Sequence, residues 1–140
     1  MKKNIKIADK LRSSGLRPTK QRVHIAKFLF HREKTFHFTV EQLDHMINSK
    51  IKGEKISAAT FYNTVHAFKK AGHLKEILTN NNKSYFDTHT GAHYHFFDLK
   101  NKKLIDIEED LIKIKEFPKA PKGKVIKDID VVINIESDSH

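Results

Sequence analysis

One segment constrains this chain more than any other: a helix signal marked at both ends, followed at once by a hairpin signal. Ser57 can cap a helix over 58–71, in which Phe61, Val65 and Phe68 recur at i, i+4, i+7. Gly72 is a natural stop for it. Tyr62, Asn63 and His66 fall off the apolar stripe and are expected to project outward. Two short strands follow, about 74–78 and 84–87, joined by Asn80-Asn81-Asn82. Asparagine tolerates left-handed backbone, so the run predicts a tight turn.

Three shorter helix signals precede that segment. Over 4–14, Ile5, Ala8 and Leu11 repeat at helical spacing, and Gly15 ends the run. Thr19 can cap a second helix reaching about His31, with Val23, Ala26, Leu29 and Phe30 inward. Thr39 opens a third, with Gln42 three residues on as a capping box and Leu43, Met46 and Ile47 as its stripe. Ile51–Ile56 is a polar connection containing Gly53. Short helices followed by a β-hairpin is the order of a winged helix, in which the last helix enters the DNA major groove.

Beyond a hinge at 88–92 the pattern changes. His93–Leu99 and Leu104–Ile107 look like strands around an Asp98–Lys103 turn, a short helix is expected over Glu109–Lys115, and Ile126–Ile135 reads as strand. Pro118, Pro121 and Gly123 force a looped path between them. The expectation is an α+β chain with a winged-helix domain over 1–88 and a small α/β domain over 89–140. About fifty residues make a poor independent core, so the second domain is expected to dimerise with a copy of itself.

Charge separates the same two parts. The chain of 140 residues carries a formal net charge of +10. Residues 1–90 hold 18 basic against 7 acidic side chains, whereas 91–140 hold 9 against 10. A polyanion partner for the first part follows. Arg17, Lys20 and Arg22, with Lys10 and Arg12, are placed to meet phosphates. Ser57, Thr60, Tyr62, Asn63, His66 and Lys69 supply the groups that meet phosphates and base edges on the last helix. No stretch approaches the ~20 apolar residues of a membrane span. The basic N-terminus has no apolar run behind it, so a cytoplasmic protein is expected. There is no cysteine, which excludes disulfides, thiol nucleophiles and thiolate zinc sites.

Ten histidines are present. His24, His31, His45 and His73 are expected to be solvated. His93-Tyr94-His95 differs, because i and i+2 on a strand share a face and two imidazoles form half a metal site. His37, Asp87 and Asp106 offer further imidazole and carboxylate donors, and such mixed donors suit Fe(II), Mn(II) or Zn(II). Two histidines and an acid could also hold a catalytic zinc, but no general-base glutamate accompanies them in a recognisable motif, so no enzyme is expected.

Three segments carry a specific resemblance. Gly15-Leu16-Arg17-Pro18-Thr19-Lys20-Gln21-Arg22, Ser57-Ala58-Ala59-Thr60-Phe61-Tyr62-Asn63-Thr64-Val65, and Ser84-Tyr85-Phe86-Asp87 followed by His93-Tyr94-His95 resemble the Fur family of metal-responsive transcription regulators. The likeness runs over about 11–136. It implies a hinge metal site at His37, Asp87, His93, His95 and Asp106, and a homodimer bound to an A·T-rich palindromic duplex. Many members hold a structural zinc with Cys-x-x-Cys pairs; Asp98 and Asn101 stand there in this chain, so that site is absent. The tracts 116–123 and 130–133, with Asn63-Thr64-Val65-His66, resemble the iron response regulator branch (Irr), which reads iron largely through haem. That likeness implies an iron-homeostasis regulator, with His93 or His95 as axial haem ligands. The alternatives are a peroxide- or manganese-sensing repressor of the same family, or a constitutive DNA-binding protein indifferent to metal.

Overall fold

The computed structural model describes residues 2–91 and 94–138, with side chains described from residue 6. The chain is α+β and divides into two compact units, Met1–Leu78 with Asn82–Thr90, and Thr79–Asn81 with Gly91–His140.

The first unit is built from four helices, α1 (Lys2–Ser13), α2 (Lys20–Phe30), α3 (Val40–Asn48) and α4 (Ala58–Lys70), and a three-stranded antiparallel sheet. The caps are the ones the sequence signals. Thr19 accepts from the Arg22 amide, Thr39 and Gln42 form the reciprocal box, and Ser57 accepts from the Thr60 amide. α4 ends in a Schellman motif. Gly72 sits at φ +86, and the His73 amide donates to the Phe68 carbonyl at 2.8 Å. Gly15 (φ +84) closes α1 the same way, with the Leu16 amide on the Leu11 carbonyl.

Phe61, Val65 and Phe68 are all fully buried, as their spacing predicts. They pack in one core with Ile25, Ala26, Leu29, Leu43 and Ile47. Burying each such side chain is worth roughly 1.5–3 kcal/mol. Among the described side chains of α1, Ile7 and Leu11 are buried and Ala8 is only half-buried, while Ile5 lies outside the described side chains. The larger apolar residue takes the core-facing position. Val23, Phe30 and Met46 are also only partly buried at the edge of that core.

The sheet of this unit has the order β1-β3-β2, with β1 (His37–Phe38), β2 (Lys75–Leu78) and β3 (Ser84–Asp87). The β2–β3 turn uses Asn82 at φ 60, the left-handed residue expected of the asparagine run. β1 is not among the elements that the sequence predicts. It is only two residues long, too short for any periodicity to register. It pairs His37 with Asp87 and Phe38 with Phe86.

The second unit is a three-stranded sheet of order β5-β4-β6, from β4 (Tyr94–Asp98), β5 (Lys103–Ile107) and β6 (Val132–Ile135). β4 and β5 form a hairpin in which Lys102 adopts φ 54, while β6 runs parallel to β4. Phe97 and Leu104 are buried on one face. Phe96, Ile105 and Ile133 are in register on the other, and the two isoleucines remain 45% and 39% exposed. Two expectations fail here. The helix over Glu109–Lys115 is a single 3-10 turn, Glu109–Leu111, and none of its residues is buried. The strand expected over 126–135 is regular only from Val132; its pairing with β4 begins at the Val131 carbonyl, which accepts from the His95 amide at 3.1 Å.

His73, expected to be solvated, is half-buried. Its Nε2 lies 2.7 Å from Ser14 Oγ, and its ring meets Phe30 and Phe68 at 5.9 and 6.3 Å. Burial, and then the Lys10 ammonium, hold its pKa below 6.5.

Two outcomes follow. Gly72→Ala meets no neighbouring atom, so its cost is backbone strain alone. It should be destabilised by about 1–2 kcal/mol, read as a lower urea midpoint at unchanged slope. Because the folded protein resists protonating His73, the unfolded chain binds more protons at acid pH. Its contribution is complete above pH 6.5 and is lost as pH falls through that value towards the folded pKa. The drop in urea midpoint between pH 7.5 and pH 5.5 should therefore be smaller in His73→Gln than in the wild type.

Candidate metal centre and nucleic-acid interface

Each unit places one histidine opposite one aspartate across an antiparallel ladder. Directly opposed residues project to the same face of a sheet, with Cβ atoms about 4.5–5.5 Å apart. In the first unit β1 and β3 bring His37 and Asp87 together this way. Phe38 and Phe86, one residue along, turn to the core, so alternation sends the imidazole and carboxylate to the other face. The Asp87 carboxylate is buried and accepts from the His89 amide at 2.9 Å.

In the second unit β4 and β5 oppose His95 and Asp106. His95 is 2% exposed, and its Nε2 lies 3.2 Å from Asp106 Oδ1. The Asp106 side chain is 58% exposed. His93 lies outside the described residues. Of the five positions singled out from the sequence, four thus stand as two cross-strand His–Asp positions, one in each unit, and in the second unit the side chains meet. Nitrogen and oxygen donors without a thiolate are the set that suits a divalent ion of hard to borderline character. At residues 98–101, where a structural zinc would need thiolates, Asp98 instead caps the β4–β5 turn by accepting from the Lys100 and Asn101 amides. The backbone bond from Asn101 is the main reason its pKa is lowered.

The basic surface is also in place. Arg17 and Lys20 are exposed, and Arg22 is half-buried with Nη1 on the Arg17 carbonyl at 3.3 Å. On α4, Tyr62, Asn63 and His66 are exposed as the stripe predicts. Ser57 and Thr60 are partly occupied with each other, their hydroxyl oxygens 2.9 Å apart in addition to the cap.

Sequence reasoning missed two acids on this surface. Tyr62 donates its hydroxyl hydrogen to the Glu41 carboxylate, on the first turn of α3. Lys69 and Ser84 both donate to Glu76 on β2. Glu41 is held below its usual pKa chiefly by the Tyr62 hydroxyl, and the same bond raises Tyr62. Burial pushes Glu76 up, but the Lys69 and Ser84 bonds pull it down further, so its net shift is downward. A count of basic residues cannot find such acids. Glu41 carries a weak signal, an acid in a helix's first turn, but nothing local ties it to a residue twenty-one positions on.

The sequence profile of the Ferric uptake regulator family matches residues 13–134. A peroxide-responsive repressor, PerR, from Staphylococcus epidermidis is 34% identical over 96 residues, covering 69% of this chain and 61% of that protein. PerR from Staphylococcus aureus (strain Mu50) is 32% identical over 98 residues, covering 70% and 64%. The chain therefore aligns with less than two thirds of these relatives' length. Among solved structures, the ferric uptake regulator of Pseudomonas aeruginosa with manganese superposes with a TM-score of 0.69 at 22% identity, covering 94% of this chain and 97% of that one. The Vibrio cholerae ferric uptake regulator gives 0.68 at 18%, covering 93% and 98%. At these identities the superpositions speak for the fold. No helix among the described residues is long and apolar enough to cross a membrane.

The His95–Asp106 pair should be detectable without DNA. Mn(II) is expected to raise the melting temperature of the metal-stripped protein, with about 2.7 kcal/mol of stabilisation at a hundredfold excess over Kd. Asp106→Ala, at an exposed position, should keep the metal-free melting temperature and need more Mn(II) for the same rise.

Proposed function

The chain belongs to the ferric uptake regulator family, and from that premise we propose that it is a homodimeric DNA-binding repressor whose affinity for its operator is set by a bound divalent metal ion. The single observation that carries this reading is the register that sets a histidine opposite an aspartate in each unit, His37 opposite Asp87 and His95 opposite Asp106.

In this reading His37, Asp87, His93, His95 and Asp106 hold one ion. The ion supplies positive charge that offsets the two aspartates and ties the DNA-reading unit to the second unit. It strengthens DNA binding only by as much as it prefers the DNA-competent arrangement over the other. α4 enters the major groove, where Tyr62, Asn63 and His66 read base edges. Arg17, Lys20 and Arg22, with Ser57 and Thr60, meet phosphates. The row of Phe96, Ile105 and Ile133 is the surface a second copy covers, which supports the dimer. A two-fold symmetric dimer reads a near-palindromic duplex, here taken as A·T-rich.

For the effector, the PerR relatives support peroxide, sensed with bound iron or manganese, in place of the iron response regulator reading. The donor set supports a simple divalent ion over haem. His95 is buried with its Nε2 against a carboxylate, an arrangement for a small cation rather than for the edge-to-edge span of a macrocycle.

Fluorescence anisotropy at fixed salt tests the whole reading, with an A·T-rich palindrome and a scrambled duplex. Mn(II) or anaerobic Fe(II) should raise affinity for the palindrome at least tenfold over the metal-stripped protein, and hydrogen peroxide should reverse this for the Fe(II)-loaded form. Haem should have no effect. Selective binding blind to every addition would leave a constitutive DNA-binding protein. Asp87→Asn and Asp106→Asn should each abolish the metal response. If only one of them does, the ion belongs to one unit alone.

A further inference from the structure

The exposed face of α4 carries a constraint on what it can read. Tyr62 is 41% exposed there, yet its hydroxyl is already bonded to Glu41. Glu41 lies in the first turn of α3, where the helix dipole favours negative charge. Its pKa is lowered, chiefly by Tyr62, then by its own backbone and by Lys83. At neutral pH it is a carboxylate, which can only accept. A phenol has one hydrogen to give, and Glu41 has taken it. The oxygen that Tyr62 still presents to an incoming duplex offers lone pairs and no proton.

The ring is held in place as well. His66, one turn on, lies nearly parallel to it, with centroids 6.4 Å apart at 20°. The His66 ring in turn stands edge-on to the buried Phe86, at 5.8 Å and 89°. These residues, with Glu41 and Lys83, line one cleft between α4, the start of α3 and the hairpin.

We propose that Glu41 fixes Tyr62 as a hydrogen-bond acceptor, so that α4 reads an exocyclic base amine, adenine N6 or cytosine N4, through the phenol oxygen. Among major-groove groups, only these amines donate. Guanine O6, thymine O4 and every phosphate oxygen are acceptors, and the Glu41 charge repels phosphate besides. Tyr62 is therefore a base reader and Glu41 its positioning residue. The inference rests on the DNA-binding reading above, and it names a specificity which that reading does not contain.

The test uses the full-length protein with Mn(II). A duplex is first selected from a randomised library by the wild type. Each adenine and cytosine of one half-site is then replaced by an analogue lacking the exocyclic amine, purine or 2-pyrimidinone. Affinities are measured at fixed salt for wild type, Tyr62→Phe, Glu41→Ala and Glu41→Gln. At one position the wild type should lose roughly 5- to 100-fold. Tyr62→Phe should show little further loss there, which separates the amine–phenol contact from the weakened base pair in a double-mutant cycle. Glu41→Ala frees the hydroxyl to donate, so it should lose the amine preference at that position and come to accept guanine or thymine. Glu41→Gln, whose amide oxygen can still take the phenol proton, should retain part of the preference. Tyr62→Phe should bind a scrambled duplex like the wild type, and the two Glu41 variants, which lose a negative charge, should bind it somewhat more tightly and by the same factor as each other, so every preference is read relative to that baseline.

Glu41→Ala with the wild-type profile at every position would overturn the inference while leaving the DNA-binding reading intact. A uniform loss at all positions would also overturn it, because Glu41 would then only support the fold of α3. If the wild type enriches no sequence, the DNA-binding reading fails and the inference fails with it.

Discussion

Two residues of extended backbone organise the first unit. β1 is only His37–Phe38, but its ladder with β3 sets a register that cannot slip. A shift by one residue would send the two phenylalanines to the far face and the imidazole and carboxylate into the core. Phe38 and Phe86 are fully buried and stacked at 6.1 Å, so that shift would expose two aromatic side chains and bury two polar ones. The Thr88 amide on the Phe36 carbonyl and the Phe36 amide on Thr88 Oγ1 extend the pairing by one more residue. Core packing thus places His37 beside Asp87 without any interaction between the two having to do so.

What could be read in the sequence follows the range of the interactions involved. Helix ends are local, so Thr19, Thr39 with Gln42, Ser57 and Gly72 all stand where their chemistry puts them. The α4 stripe is local too. β1 escapes because its stability comes wholly from residues some fifty positions away. The run 109–115 has helical composition, but its chain extends after one 3-10 turn, and alternation then half-buries Ile112 and Ile114. Residues 126–130 have strand composition but lie before the ladder with β4, which begins at the Val131 carbonyl. At the site, His95 could be picked from its spacing on a strand. The pairing of His37 with Asp87 came from likeness to a family, since no periodicity links them.

The reading surface shows why net charge is a coarse guide. An excess of lysine and arginine draws the unit to a polyanion. Yet two of the outward groups on α4, Tyr62 and Lys69, are each held by a carboxylate from a neighbouring element. Exposed pairs of this kind contribute little to stability, about 0–1 kcal/mol. Their effect is on geometry: each removes rotamer freedom from a long or aromatic side chain before any partner arrives.

The parallel pairing of β4 with β6 bears on the order in which the chain can assemble. His95 faces Val132 across a connection with almost no regular structure. Closing that connection costs loop entropy before the ladder returns anything. The first unit is made of residues up to 90, helices and the two strands of a hairpin. During synthesis it can be complete while the second sheet is still a two-stranded hairpin with an open edge at β4. The His95–Asp106 ladder lies in that hairpin, and it acquires its second flank only when 132–135 emerges. Topological non-locality makes the second half of the chain the slower to fold.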